Sequence, residues 1–128
     1  MNNVKFYICE HCGNIVTKIH DAGVPLVCCG QKMKELIPGT VEASVEKHVP
    51  VAFVEGNSVR VEVGSVAHPM SAEHYIPWVW LETSAGSQRK ALSPEDAPVV
   101  TFALAEGEQP VAVYAYCNLH GLWKAELA

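Results

Sequence analysis

The sequence has no block of basic residues, no long apolar run, no long helical stretch and almost no cysteine beyond residue 29. Each absence excludes something. Nucleic-acid binding needs a basic stripe, and this chain carries a formal charge of −5 with its charges dispersed. A membrane-crossing helix needs about 20 apolar residues in a row, and no run approaches that length. Met1-Asn2-Asn3-Val4-Lys5 lacks the apolar stretch and cleavage site of a secretory signal, so a cytoplasmic protein is expected. In that reducing compartment clustered cysteines read as metal ligands rather than disulfides. No internal repeat stands out.

What is present divides at Ile37-Pro38-Gly39, a turn signal. Residues 1–37 hold four of the five cysteines and few large apolar side chains. A piece so small and so poor in core needs a staple, and a metal is the expected one. From Thr40 onward, residues 38–128 turn to two-residue alternation: Val41, Ala43 and Val45, then Val59, Val61 and Val63, with Trp78 and Trp80 sharing one face. Val99–Leu104, Val111–Cys117 and Leu122–Leu127 read as further strands. Gly, Asn, Ser and Pro clusters punctuate the runs. About seven short strands in this rhythm predict a mostly β chain, with an antiparallel β-sandwich as its second domain. The sole helical candidate, around Ser93-Pro94-Glu95-Asp96, spans at most one turn.

Cys9-x2-Cys12 is a metal knuckle, and Cys28-Cys29 completes a four-thiolate set. Four thiolates suit zinc or mononuclear iron equally. Adjacent cysteines do not readily bond to each other, and their bite on a metal differs from that of a second Cys-x2-Cys. The site is therefore expected to be distorted. His11 and His20 read as solvated.

A second cluster lies in the β region. His48, His68, His74, Cys117 and His120 all fall at expected strand ends or in loops, where a rigid scaffold can aim them at one point. Imidazoles bind as neutral bases and the cysteine as a thiolate. A divalent ion held by these five keeps one net positive charge, and a square pyramid leaves one octahedral position open. Imidazole suits iron, copper, nickel and zinc alike, so the ligands alone do not fix the metal. An electron carrier and a zinc-stabilised binding module are the competing readings.

The motifs Cys9-x2-Cys12, Cys28-Cys29, Glu46-Lys47-His48-Val49-Pro50, His68-Pro69-Met70, His74-Tyr75-Ile76 and Cys117-Asn118-x-His120-Gly121-Leu122-Trp123 occur in one order over nearly the whole chain. In this the sequence resembles the desulfoferrodoxins, the two-iron superoxide reductases. The resemblance implies a desulforedoxin-like domain over residues 1–37 and an immunoglobulin-like catalytic sandwich over residues 38–128. It implies two mononuclear irons: one held by Cys9, Cys12, Cys28 and Cys29, the other by His48, His68, His74, His120 and Cys117. The implied reaction is one-electron reduction of superoxide to hydrogen peroxide without dioxygen release. A rubredoxin-like donor and a homodimer are implied as well. Lys47 matches a lysine that steers superoxide and orders a proton-carrying water; Glu46 matches a glutamate that closes onto the oxidised centre. Trp78, Trp80, Trp123, Tyr114 and Tyr116 read as packing.

Overall fold

The computed structural model describes residues 4–127 and separates the chain into two compact units, Met1–Ile37 and Pro38–Ala128. The first unit has five very short strands: β1 (Phe6–Ile8), β2 (Ile15–Thr17), β3 (Val27–Cys28), β4 (Gln31–Lys32) and β5 (Lys34–Leu36). They form an antiparallel sheet in the order β2-β1-β5 and a separate β3-β4 hairpin. Among its described residues only Phe6 and Cys9 are buried hydrophobics, while Ile19 is 99% exposed. Apolar burial at about 25 cal/mol per Å² cannot hold so small a core together.

The second unit carries seven strands: β6 (Pro50–Glu55), β7 (Ser58–Val63), β8 (Trp78–Thr83), β9 (Gly86–Ala91), β10 (Val99–Ala103), β11 (Pro110–Cys117) and β12 (Gly121–Glu126). They build a three-stranded sheet β10-β7-β6 and a four-stranded sheet β12-β11-β8-β9, both antiparallel. Alternation places Val59, Val61 and Val63 of β7, Val79 and Leu81 of β8, Phe102 of β10, and Val113, Ala115 and Cys117 of β11 in one buried cluster between the sheets. The opposite face of β8 bears Trp78 and Trp80, and Tyr116 of β11 stacks on Trp78 at 5.6 Å with ring planes 7° apart.

Two expectations are corrected, and two strands are added. Val41, Ala43 and Val45 do not form a strand. Val41 and Val45 are exposed, and residues 45–48 instead make a single helical turn, α1 (Val45–His48). Ser44 stands at its start, Lys47 N–H donates to the Ser44 carbonyl, and Val49 N–H closes the turn onto the Val45 carbonyl. Pro50 then forces Val49 into extended backbone, which ends the helix. The Ser93–Asp96 candidate is a single non-helical turn, closed by the Asp96 N–H on the Ser93 carbonyl at 3.0 Å and by the Ser93 N–H on the Asp96 carboxylate at 2.8 Å. Finally, β6 and β9 are strands without a clear sequence signal. Most residues of β9 are exposed, so it shows no core-facing alternation, and β6 is a sheet edge that tolerates Pro50 at its first position.

Register brings one end of the sandwich together. Pro50 pairs with Val63, Trp78 with Tyr116, and Cys117 with Gly121. The end of α1, the β7–β8 loop and the β11–β12 turn therefore meet at the same edge.

Candidate metal centres

The first centre is built from two turns. Cys9 ends against a loop in which Gly13 N–H donates to the Cys9 carbonyl at 2.8 Å and Cys12 N–H points at Cys9 Sγ at 3.5 Å. Gly13 has φ of 84°, which lets the backbone fold back under the sulfur. The second turn joins β3 to β4, with Cys29 and Gly30 as its central pair. Both have positive φ, 54° and 73°, the signature of a primed two-residue hairpin turn. Cys29 is the one non-glycine residue with positive φ among those described. This resolves the adjacent-cysteine problem: the turn reverses the chain between the two sulfurs, so both face the same point.

Sulfur spacing fits a tetrahedral ion. Cys12 Sγ lies 3.6 Å from Cys28 Sγ, and Cys28 Sγ lies 3.9 Å from Cys29 Sγ. A metal–sulfur bond of about 2.3 Å predicts tetrahedral edges of about 3.8 Å. A disulfide would need sulfurs about 2.05 Å apart, and all five cysteines are free. The four sulfurs also share charge unevenly. Hydrogen bonding from the Cys12 amide, with help from His11 and neighbouring thiols, lowers Cys9 to about 6. Its neighbours Cys12, Cys9 and Cys28 push Cys29 up to about 12. A bound cation favours the thiolate form that Cys28 and Cys29 otherwise resist. His11 and His20 are exposed, as expected.

At the second centre four imidazoles form a square. Ring centroids are 4.6 Å apart for His48–His68, 4.6 Å for His68–His74, 5.1 Å for His74–His120 and 5.0 Å for His120–His48, each pair edge-on. The diagonal His48–His74 is 6.3 Å with planes tilted only 30°. His48 Nε2 sits 3.2 Å from His68 Nε2 and 3.2 Å from His120 Nδ1. A metal–nitrogen bond of about 2.1 Å predicts adjacent ligands about 3.0 Å apart. Cys117 Sγ is 3.8 Å from His120 Nδ1. The ligand atoms of His48, His74, Cys117 and His120 all lie within 4.8 Å of one another, and His68 joins them through its contact with His48.

The outer ring atoms explain the orientation. His48 Nδ1 donates to the Ser44 carbonyl at 2.7 Å and His68 Nδ1 to the Pro69 carbonyl at 2.7 Å. A carbonyl only accepts, so both protons are on Nδ1 and both Nε2 lone pairs face the centre. His74 Nε2 is buried with no hydrogen-bond partner. An orphaned buried nitrogen among three other imidazoles is what a metal site looks like before its ion is counted. Burial is the main cause lowering His48, His68 and His74, with His68 at about 4, so the neutral, ligating form is favoured. Burial raises Cys117, partly offset by the Leu119 and His120 amides directed at its sulfur. The residues thus fit two iron centres, one with four thiolates and one with imidazoles and a thiolate.

Glu46 and Lys47 stand on α1 directly before His48, with exposed side chains. Their backbone is held firmly: the Glu46 carbonyl accepts from Val66 N–H at 2.8 Å and from the Ser65 hydroxyl at 3.3 Å.

Three supporting residues escaped the sequence reading. Gly64 has φ of 86°, and a Cβ there would meet the Val66 carbonyl, and the Lys47 and Glu46 carbonyls at 2.6 and 2.7 Å. Only glycine lets the β7–β8 loop pass so close to α1. Asn118 clamps the His74 loop to the Cys117 turn, accepting from Tyr75 N–H at 2.9 Å and donating to the Glu73 carbonyl at 3.0 Å. Trp123, read as packing, lies against the His48 ring at 5.0 Å. The motif Cys117-Asn118-x-His120-Gly121-Leu122-Trp123 contained two of these, but partners remote in sequence give no local signal.

The comparisons with known proteins agree over the whole chain. The model of the desulfoferrodoxin family matches residues 40–126, and that of the desulfoferrodoxin N-terminal domain matches residues 1–36. The desulfoferrodoxin of Nitratidesulfovibrio vulgaris is 47% identical over 125 residues, 98% of each chain. A desulfoferrodoxin homolog of Archaeoglobus fulgidus is 46% identical, covering 95% of this chain and 96% of that one. The crystal structure of the superoxide reductase from Treponema pallidum superposes with a TM-score of 0.83 at 42% identity, covering 98% of this chain and all of that one. The one-iron superoxide reductase of Giardia intestinalis covers 64% of this chain and 99% of its own, with a TM-score of 0.54 at 34% identity. With both domain models matched and relatives near half identical from end to end, the chain belongs to the desulfoferrodoxin family.

Proposed function

We propose that the chain is a superoxide reductase, passing one electron to superoxide at the centre of His48, His68, His74, His120 and Cys117 and releasing hydrogen peroxide without dioxygen. The observation that carries this reading is the imidazole square with the Cys117 sulfur beside it and the unsatisfied His74 Nε2 within it. The names of the relatives, desulfoferrodoxin and superoxide reductase, support it.

Iron bound there would supply a ferrous–ferric couple. The chain does the rest. His48, His68 and His74 bind through Nε2, and His120 through Nδ1, fixed by the Ser44 and Pro69 carbonyls and by the tight β11–β12 turn. Cys117 binds as a thiolate whose charge the Leu119 and His120 amides stabilise. Lys47 counters the repulsion that a chain of net charge −5 exerts on an anion, raising the local encounter rate. Glu46, one position earlier, closes over the oxidised centre. The two protons come from solvent. An external one-electron donor of rubredoxin type would supply the electrons, and the protein works in the cytoplasm as a homodimer. The four-cysteine centre of residues 1–37 holds its unit together.

Rapid mixing of reduced protein with superoxide, with dioxygen recorded in parallel, tests the reading. Oxidation of the centre with peroxide formed and no dioxygen is expected. Dioxygen release would indicate dismutation, and no oxidation would leave an electron carrier.

A further inference from the structure

The reaction proposed above makes an oxidant beside a redox-active centre and its thiolate. Thiolates are oxidised stepwise to sulfenic, sulfinic and sulfonic acids, the last steps irreversible. Loss of Cys117 in this way would end the life of the centre.

One oxidisable ring touches two of its ligands. Trp123 on β12 pairs with Ala115, a core residue, and so points to the inner face of the sheet. It is 5% exposed. Its indole lies 5.0 Å from the His48 ring, tilted by 32°. Its Nε1–H donates to the His120 carbonyl at 3.1 Å. A hydrogen bond strengthens when its donor becomes charged, so this carbonyl is placed to stabilise an indole that has lost an electron. Trp78 and Trp80 differ. They alternate with the core residues Val79 and Leu81 and lie on the other face of the same sheet.

We propose that Trp123 is a redox-active ring of this centre, supplying an electron when peroxide is reduced further at the site and so sparing the Cys117 sulfur. The proposal rests on the superoxide reductase reading, which provides the peroxide. Reduction of hydrogen peroxide to two waters breaks the O–O bond and consumes two protons and two electrons. Once the external donor has reduced the centre again, bound iron would supply one of these electrons, and the Trp123 ring supplies the other. The protons come from solvent. The indole is left as a radical cation that keeps its N–H on the His120 carbonyl, and the external donor returns the missing electron.

Reduced, iron-loaded protein is mixed with hydrogen peroxide, frozen and examined by electron paramagnetic resonance; peptides are then mapped by mass spectrometry. The unaltered chain should show a tryptophan radical. Trp123→Phe should lose it, and Trp123→Tyr should replace it with a tyrosyl signal. Cys117 should carry several-fold more sulfinic and sulfonic acid in Trp123→Phe, whereas Trp78→Phe should change neither readout. Absence of a radical in the unaltered chain, its persistence in Trp123→Phe, or equal sulfur oxidation in both would overturn the proposal. Should Trp123→Phe fail to take up iron, the peptide map of the unaltered chain decides. Oxygen added at Trp123 before Trp78 and Trp80 supports the assignment, and the opposite order overturns it. A normal reaction with superoxide but no radical would sink only the role of Trp123; no reaction with superoxide would sink the reading beneath it.

Discussion

The two units solve the stability problem in opposite ways. Residues 1–37 bury Phe6 and Cys9 and little else among those described, and one of these is itself a metal ligand. The sandwich buries a continuous cluster from Val59 on β7 to Cys117 on β11. In the first unit the ligands come from two tight turns, and the ion substitutes for a core. In the second the core comes first, and its strand ends carry the ligands to one edge. The lesson is one of dependence: the first fold needs its metal, whereas the second metal needs its fold.

The sharpest way to break this contrast is Cys9→Ala with Cys12→Ala. Residues 1–37 should lose dispersed NMR signals altogether, as small metal-stapled domains do without their ion, while the sandwich signals stay in place. A first unit that remains folded would refute its dependence on metal. Next in size, Phe102→Ala empties a fully buried position between the sheets. A loss of about 3–5 kcal/mol in the denaturant unfolding of the sandwich is expected, with the four-sulfur centre spectrally unchanged. A smaller effect should follow from Gly64→Ala. Positive φ alone costs about 1–2 kcal/mol in a residue with a Cβ, and the clash with the Glu46 and Lys47 carbonyls adds to it. The second centre should then lose iron faster to a chelator, with the first centre unaffected. Lys47→Ala should leave both units as stable as before, because its side chain is exposed. Its expected effect is a several-fold slower reaction with superoxide and a flatter dependence on salt, measured by rapid mixing.

How much of this was legible in the sequence follows the same division. Ligand identities were visible, since Cys9-x2-Cys12, Cys28-Cys29 and the histidine motifs carry their chemistry in residue type and spacing. The alternating valines of β7 announced a core face correctly. Val41, Ala43 and Val45 showed the same alternation and misled, because alternation without a partner strand buries nothing. That segment is instead a loop and a helical turn that carries His48 inward. The bite of Cys28-Cys29 was expected to be unusual, yet its cause, a hairpin turn with positive φ at Cys29, depends on strand pairing across the turn. Gly64, Asn118 and Trp123 were hidden for a related reason. Each acts on residues brought near only by the sandwich: α1 for Gly64, the His74 loop for Asn118, and the His48 ring for Trp123.

If one centre stabilises and the other reacts, they can be separated. The most direct measurement is the rate at which superoxide oxidises the reduced second centre, recorded at its thiolate absorption, in the unaltered chain and in the chain with Cys9→Ala and Cys12→Ala. Equal rates within experimental scatter are predicted. A tenfold or greater fall, with the second centre still fully loaded with iron, would contradict the division of labour.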